Sequence, residues 1–233
     1  MPTTIRGGLA GYLRTVEPYA AWSHATQMSL DRDSEVVEYV SGTPLQQAGS
    51  HATAVYLLFS GAVEISTPVA AGHRHCIGFV FPGALVGAPA MLSPGVLTQD
   101  WTAASRVSAW RIPRETFVEC FWADRQMAST IVMIMTGWMR RLADAAAHWV
   151  HLESHGRVAY ALLLMTDWIH GRGIVPADLQ ITHGKLGEMT GLTRQSVGTA
   201  LRSLRDAGLV SVEARNVTVL DSAGLKNIVD NPR

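Results

Sequence analysis

The chain has 233 residues, 48% hydrophobic and 16% charged, and its 19 Lys and Arg balance its 19 Asp and Glu to a formal net charge of +0. That length holds one or two domains with their own cores, and without a general positive field any nucleic-acid surface must be local. Cys76 and Cys120 are the only cysteines, too few for a disulfide framework or for zinc or iron–sulfur spacings; no secretory leader and no apolar run of ~20 residues is read, so the expectation is a cytoplasmic protein without a membrane partner.

Residues Met1 to about Leu30 read as helical, with Leu9, Leu13, Val16, Trp22, Ala25 and Met28 as an uneven apolar face. From Glu35 to Pro113 the texture changes to short β-type runs (VVEYV, AVYLLF, VEIS, CIGFVF, VSAWRI) separated by Gly and Pro, which predicts a small antiparallel sandwich or roll. Phe79, Phe81, Met91, Trp101 and Trp110 belong to this region and either line a cavity or fill the core. His73, His75 and Cys76 are of metal-ligating types, although a hairpin with exposed histidines is equally a polar turn.

After Arg114 the period changes again. Ala128, Ile131, Met135, Trp138, Leu142, Ala145, Trp149 and Leu152 alternate steps of three and four, an a/d seam of about four heptads. It predicts a helix over 123–153 that pairs with a second copy, and part of the same stripe can also bury against its own roll. His148, His151 and His155 lie on one flank of that seam, where they could bind a metal, charge below about pH 6.5, or simply be solvated. His155-Gly156-Arg157 reads as a hinge, Gly171-Arg172-Gly173 with Pro176 as a loop, and Cys120 beside Phe121 and Trp122 as a buried small hydrophobe.

The densest pattern follows, from Ile181 to Leu220. Leu186 and Met189 give one short helix an apolar stripe, Gly191 breaks it, and Val197, Ala200, Leu201 and Leu204 give the next helix the same periodicity. Thr182 and Thr193 stand where a hydroxyl caps free N–H groups, and Gly208 stands where a left-handed residue ends a helix. LVSV and VTVL around Glu213-Ala214-Arg215-Asn216 read as a wing hairpin. Arg194, Gln195, Ser196 and Thr199 cluster away from the apolar stripe, with Arg202 and Arg205 further along. Arg forks onto guanine, Gln pairs with adenine, and the first residues of a recognition helix reach base edges, so double-stranded DNA is the expected partner.

Thr182-x-x-x-Leu186-Gly187-x-x-x-Gly191-Leu192-Thr193-Arg194-Gln195-Ser196-Val197-Gly198 resembles the DNA-binding motif of the bacterial cyclic-AMP-receptor/fumarate-nitrate-reduction (Crp/Fnr) superfamily. Pro44 to Gly49 and Tyr56 to Ile65 resemble the early part of that superfamily's sensor roll. Phe81-Pro82-Gly83-Ala84-Leu85-Val86-Gly87 resembles its later strand and turn, nearer the fumarate-nitrate-reduction branch, and Gly156-Arg157-Val158-Ala159 resembles the opening helix of its DNA-binding domain. The resemblance implies an α+β chain: a β-roll sensor over 1–122, a dimerisation helix over 123–153 and a winged helix-turn-helix over 154–233. It implies a homodimeric transcription regulator on a palindrome with TGT-like half-sites, with RNA polymerase as a partner if it activates. Arg194 is implied to read a G·C pair, with Thr193, Gln195, Ser196 and Thr199 beside it and Thr182, His183, Arg202 and Arg215 at phosphates.

In the cyclic-AMP branch a Gly-Glu pair and an Arg-Ser or Arg-Thr pair hold the ribose and the phosphate. This chain has Gly87-Ala88 and Leu97-Thr98 at those places, and Arg106 falls on the following strand, so ordinary cyclic-AMP binding is not expected. The N-terminal cysteines that hold an iron–sulfur cluster in the other branch are absent. Gln195 with Thr199 is similar to the haem-containing carbon-monoxide sensors, which ligate haem through a cysteine and a histidine near the turn that here reads Gly87-Ala88-Pro89. The expected effector pocket is Gly87, Ala88, Thr98, Trp101 and Trp138, open to an apolar small molecule or a haem. No phosphate-cradling loop, nucleophile elbow or suitably spaced carboxylate pair points to an enzyme. Two further readings remain: a regulator without any effector, controlled by abundance, and a haem- or metal-binding sensor that acts through a protein partner.

Overall fold

The computed structural model of the chain describes residues 7–69, 72–93, 95–172, 181–213 and 216–231; of residues 166–172 and 216 it describes the backbone. The N-terminal region is two helices, α1 (Gly8–Leu13) and α2 (His24–Asp33), with a single 3-10 turn at Tyr19–Ala21 between them. The continuous helical reading to Leu30 therefore breaks around Pro18, which has no N–H to give to a helix. Ser23 restarts it by accepting the Thr26 N–H at 3.2 Å.

Eight strands follow: β1 (Glu35–Tyr39), β2 (Pro44–Gln46), β3 (Ala54–Ser60), β4 (Val63–Pro68), β5 (Arg74–Val80), β6 (Leu85–Val86), β7 (Asp100–Ala103) and β8 (Val107–Pro113), with α3 (Ala88–Leu92) between β6 and β7. They form two antiparallel four-stranded sheets, ordered β1-β8-β3-β6 and β2-β7-β4-β5. The chain is α+β with an N-terminal roll, and its five longest strands are those that the apolar runs predict. β2, β6 and β7 are short, and their sequences carry too few β-branched residues to stand out.

Two helices close the roll: α4 (Arg114–Ala123) and the 27-residue α5 (Arg125–His151). Asp124 starts α5, accepting the N–H groups of Gln126 and Met127 at 2.8 and 3.2 Å through one oxygen and that of Ser23 at 2.8 Å through the other. Leu9, Leu30, Leu57, Phe117, Met127 and Ile131, all fully buried, tie α1, α2, β3, α4 and α5 into one core. Cys120 is in that core, where burial pushes its thiol pKa up.

The chain leaves α5 at Leu152–Glu153 and enters α6 (Ser154–Arg172). The turn thus comes before the expected hinge at Gly156, which lies inside α6 with the Leu152 side chain against its Cα face. The C-terminal unit comprises α7 (His183–Thr190), α8 (Arg194–Asp206), the paired strands β9 (Val210–Glu213) and β10 (Asn216–Val219), and α9 (Ser222–Asp230). α9 is an element that the sequence reading lacks: Asp221 caps it by accepting the Gly224 N–H at 2.9 Å, and Leu225 and Val229 bury against the domain core. Of the expected loop, Gly171 and Arg172 belong to α6, and Gly173 and Pro176 lie outside the described residues.

Candidate DNA interface and sensor cavity

The reading head is built from its caps inward. Thr182 accepts the Lys185 N–H at 3.1 Å and opens α7; Gly191, at φ 71°, closes it in the left-handed conformation that glycine adopts without strain. Thr193 accepts the Ser196 N–H at 3.1 Å and opens α8. Val197, Ala200, Leu201 and Leu204 are buried, which turns Arg194, Gln195, Thr199 and Arg202 outward as one exposed face. His183 is exposed beside Gly198, and the Arg194 guanidinium lies over Gly184, so the two helices bring His183 and Arg194 onto one surface. Among the described residues neither Arg194 nor Arg202 has an ion-pair partner, whereas Arg205 is paired with Asp206 at 3.0 Å. Thr193 and Ser196 hydroxyls sit 3.0 Å apart, so both are engaged at the cap. Arg215 lies outside the described residues. Arg194 at the N-terminus of α8 and Arg202 more than two turns along it make the exposed face an anion-attracting surface.

The opposite face of α7 docks on the roll. Leu186 and Met189 share a buried cluster with Ala62, Cys76, Phe79 and Phe81. Lys185 Nζ reaches Glu64 Oε2 on β4 at 2.6 Å and Glu188 Oε2 at 2.5 Å. Burial alone would lower the Lys185 pKa, but the hydrogen bonds from Glu188 and Glu64 outweigh it and hold the ammonium above its ordinary value. Burial likewise raises the Cys76 thiol, with the Glu64 charge adding to it. Sequence reasoning missed this contact. Only the inward position of Glu64 in the alternation of VEIS hints at it.

The expected pocket residues come together in part. Gly87, Thr98, Trp101 and Trp138 line a single cavity of about 400 Å³ between the roll and α5. Ala88 is buried in the first turn of α3 and is not part of the lining. Gly87, at φ 91°, is required there twice over, since a Cβ would also fall 2.3 Å from the Trp101 ring. Among the described residues no ionisable side chain lines the cavity, and no His or Cys does, so these offer neither a counter-charge for phosphate nor the Cys and His ligands of the haem sensors. Arg106 points elsewhere and pairs with Glu38 at 2.7 Å.

The metal candidates are dispersed. His73 and His75 are exposed on the β5 hairpin while Cys76 is buried under α7. His148 stacks on Tyr160 with ring centroids 4.5 Å apart, His151 is exposed, and His155 Nδ1 is 4.0 Å from Glu153. Among the described residues no three His, Cys, Asp or Glu side chains converge.

The seam on α5 divides between two surfaces. Ile131 and Leu152 are buried in the chain's own cores; Ala128, Met135 and Trp138 pack against the roll core, and Ala145 and Trp149 against the DNA-binding unit. The large apolar residues of α5 left outward are Val132, Met133, Met139, Leu142 and Val150, exposed by 55%, 60%, 69%, 49% and 75%. Of the expected seam only Leu142 is among them, because the roll and the C-terminal unit pack against the same face.

Residues 36–124 match the cyclic nucleotide-binding domain family and residues 156–228 the Crp-like helix-turn-helix domain family. The chain is 23% identical over 219 residues to the CRP-like cAMP-activated global transcriptional regulator of Mycobacterium tuberculosis, covering 93% of this chain and 95% of that one. It is 27% identical over 193 residues to the cyclic AMP receptor protein of Thermus thermophilus, covering 82% and 86%. The fold is similar to that of FixK2 from Bradyrhizobium japonicum, with a TM-score of 0.71 at 22% identity over 83% of this chain and 96% of that one. Among the described residues no helix is long and apolar enough to cross a membrane. Sensor roll, capped reading head and both family matches thus agree in order along the sequence, and the chain belongs to the Crp/Fnr superfamily as a transcription regulator with a helix-turn-helix DNA-binding domain.

Proposed function

We propose that the protein works as a homodimer on a palindromic DNA site with TGT-like half-sites and that its effector is not cyclic AMP. The observation that carries the first half is Arg194: unpaired, at the N-terminal end of a capped, outward-facing helix, where a guanidinium reaches the guanine edge in the major groove. Gln195 and Thr199 extend the base-reading face. Thr182, His183 and Arg202 are the phosphate contacts of this reading, joined by Arg215, which lies between β9 and β10 in sequence. The outward stripe Val132, Met139 and Leu142 gives α5 a surface for a second copy, and a two-fold pair of reading heads suits a palindrome.

A relative is named as cAMP-activated, but among the described residues the cavity lining holds no cation for a cyclic phosphate. Met135, Trp138, Met139 and Leu142 line the cavity from α5, and Met139 and Leu142 belong to the stripe for the second copy as well. A ligand that favours one packing of α5 shifts the population of dimers whose heads stand one DNA turn apart. RNA polymerase is a further partner if the protein is an activator.

Selection from random DNA by the purified full-length chain tests this. The expected product is a palindrome with TGT-like ends, and Arg194→Ala is expected to lose preference at one base pair of each half-site. Enriched sequences without two-fold symmetry would remove the homodimer, and an equal loss on selected and random DNA would remove Arg194 from base reading.

A further inference from the structure

The cavity beneath α5 has a definite size and chemistry. Its volume is about 400 Å³. Scaled from an apolar cavity of about 150 Å³ that takes benzene, it holds about fifteen non-hydrogen atoms. Ile65, Ile77, Val86 and Trp101 form walls from the roll, and Met135 and Trp138 close it from α5. The loop before β7 supplies the polar part of the lining, with the Thr98 hydroxyl and the Gln99 amide side by side in sequence.

Among the described residues no charged side chain lines it, and Arg141 lines a small adjoining hollow that shares Ile77, Trp138 and Leu142 with it. Arg74 is bound by Asp100 at 3.3 Å and donates to Ser66 Oγ at 2.7 Å; Arg106 is bound by Glu38 at 2.7 Å and Arg111 by Glu35 at 3.1 Å. An anion entering the cavity would lose its hydration and meet no cation among the described lining residues, a cost that an apolar molecule avoids. A porphyrin is far too large for the space and would bring two carboxylates with it.

We propose that this cavity is the effector site for an uncharged, mostly apolar small molecule with one hydrogen-bonding end, and that it rejects nucleotides. The proposal rests on the reading that the roll gates the DNA head. Its probe is N-phenyl-1-naphthylamine, an uncharged apolar amine of matching size that fluoresces on leaving water and accepts energy from tryptophan. Titrated into the full chain, it should give saturable emission on tryptophan excitation, because Trp101 and Trp138 both line the site. Two substitutions fill the cavity from different walls: Ala90→Trp from α3 and Ile77→Trp from β5. Each should weaken the probe at least tenfold, and Ile77→Trp serves if Ala90→Trp fails to fold. Cyclic AMP in large excess should displace nothing.

Absence of saturable binding, binding indifferent to both fillings, or displacement by cyclic AMP at probe-like concentrations would each overturn the proposal. The DNA selection above is a separate readout. Saturable probe binding without any enriched DNA would leave the cavity assignment standing and remove the gating reading on which it rests.

Discussion

Strand β4 presents two environments on consecutive residues. Glu64 faces α7 and meets the Lys185 ammonium, whereas Ile65 faces the cavity, where nothing is charged. β5 repeats the pattern with Cys76 under the reading head and Ile77 at the cavity, and the ladder between them is irregular at Ile65/Ser66. The period-2 alternation of a strand thus makes one sheet a shared wall, carrying an ion pair toward the DNA-binding unit and apolar toward the cavity. On the proposed reading, a ligand that shifts this wall by a fraction of a side chain acts on the docking of α7 with no intermediate element, because packed interfaces do not deform smoothly.

The polar face should be the more fragile. Lys185→Ala leaves Glu64 buried without its cation, a loss of about 3 kcal/mol, at the low end for a broken buried pair because Lys185 keeps part of its side chain in water. Denaturant unfolding should show it. Glu64→Gln combined with Lys185→Met should recover most of that loss, since replacing both partners removes the unpaired charge. If the double variant is as unstable as the single, the pair is not what holds α7 to the sheet. The ion pair also fixes a pH limit: the raised Lys185 value means its contribution is full below the ordinary lysine pKa of 10.5 and is lost as pH rises through the higher folded value.

Smaller effects separate the two arginines of the reading head. Arg194→Ala should cost about 1–3 kcal/mol on the selected site and little on random DNA. Arg202→Ala should weaken all sites alike and reduce the salt slope by about 1, as a phosphate contact does. Binding isotherms on both DNAs across a salt series distinguish them; identical behaviour of the two variants would dissolve the division between base reading and phosphate anchoring.

The reading head was legible because its signals are local. Caps at Thr182 and Thr193, a stop at Gly191 and an apolar period inside α8 lie within a few residues of one another, and each has one physical meaning. What covers the apolar face of α5 was not, because a heptad records only that a face is apolar. Ile131 and Leu152 look the same in sequence whether a second helix or the chain's own cores cover them, and these two are buried in the cores. Ala88 escaped for a similar reason: its position in the turn is readable, but the side that its methyl faces depends on how α3 packs. Glu64 and Lys185 stand over a hundred residues apart, and nothing local marks either for the other.

The smallest effect concerns how α5 is held at its two ends. At its start Asp124 accepts three backbone N–H groups, two from α5 and one from Ser23; at its end Arg157 Nε donates to the Leu152 carbonyl at 2.9 Å. Burial would raise the Asp124 pKa, but these hydrogen bonds overcome it and leave the carboxyl below its usual value. The sign follows: its contribution is present above pH 3.8, the ordinary value, and is lost as pH falls through the lower folded one. Asp124→Ala should therefore cost about 1 kcal/mol at neutral pH, and the gap from wild type should narrow under acid as the wild-type carboxyl is protonated. A gap that stays constant through the acid range would mean that the carboxylate charge is not what fixes this end of α5, and that the roll packing around Met127 and Ile131 fixes it instead.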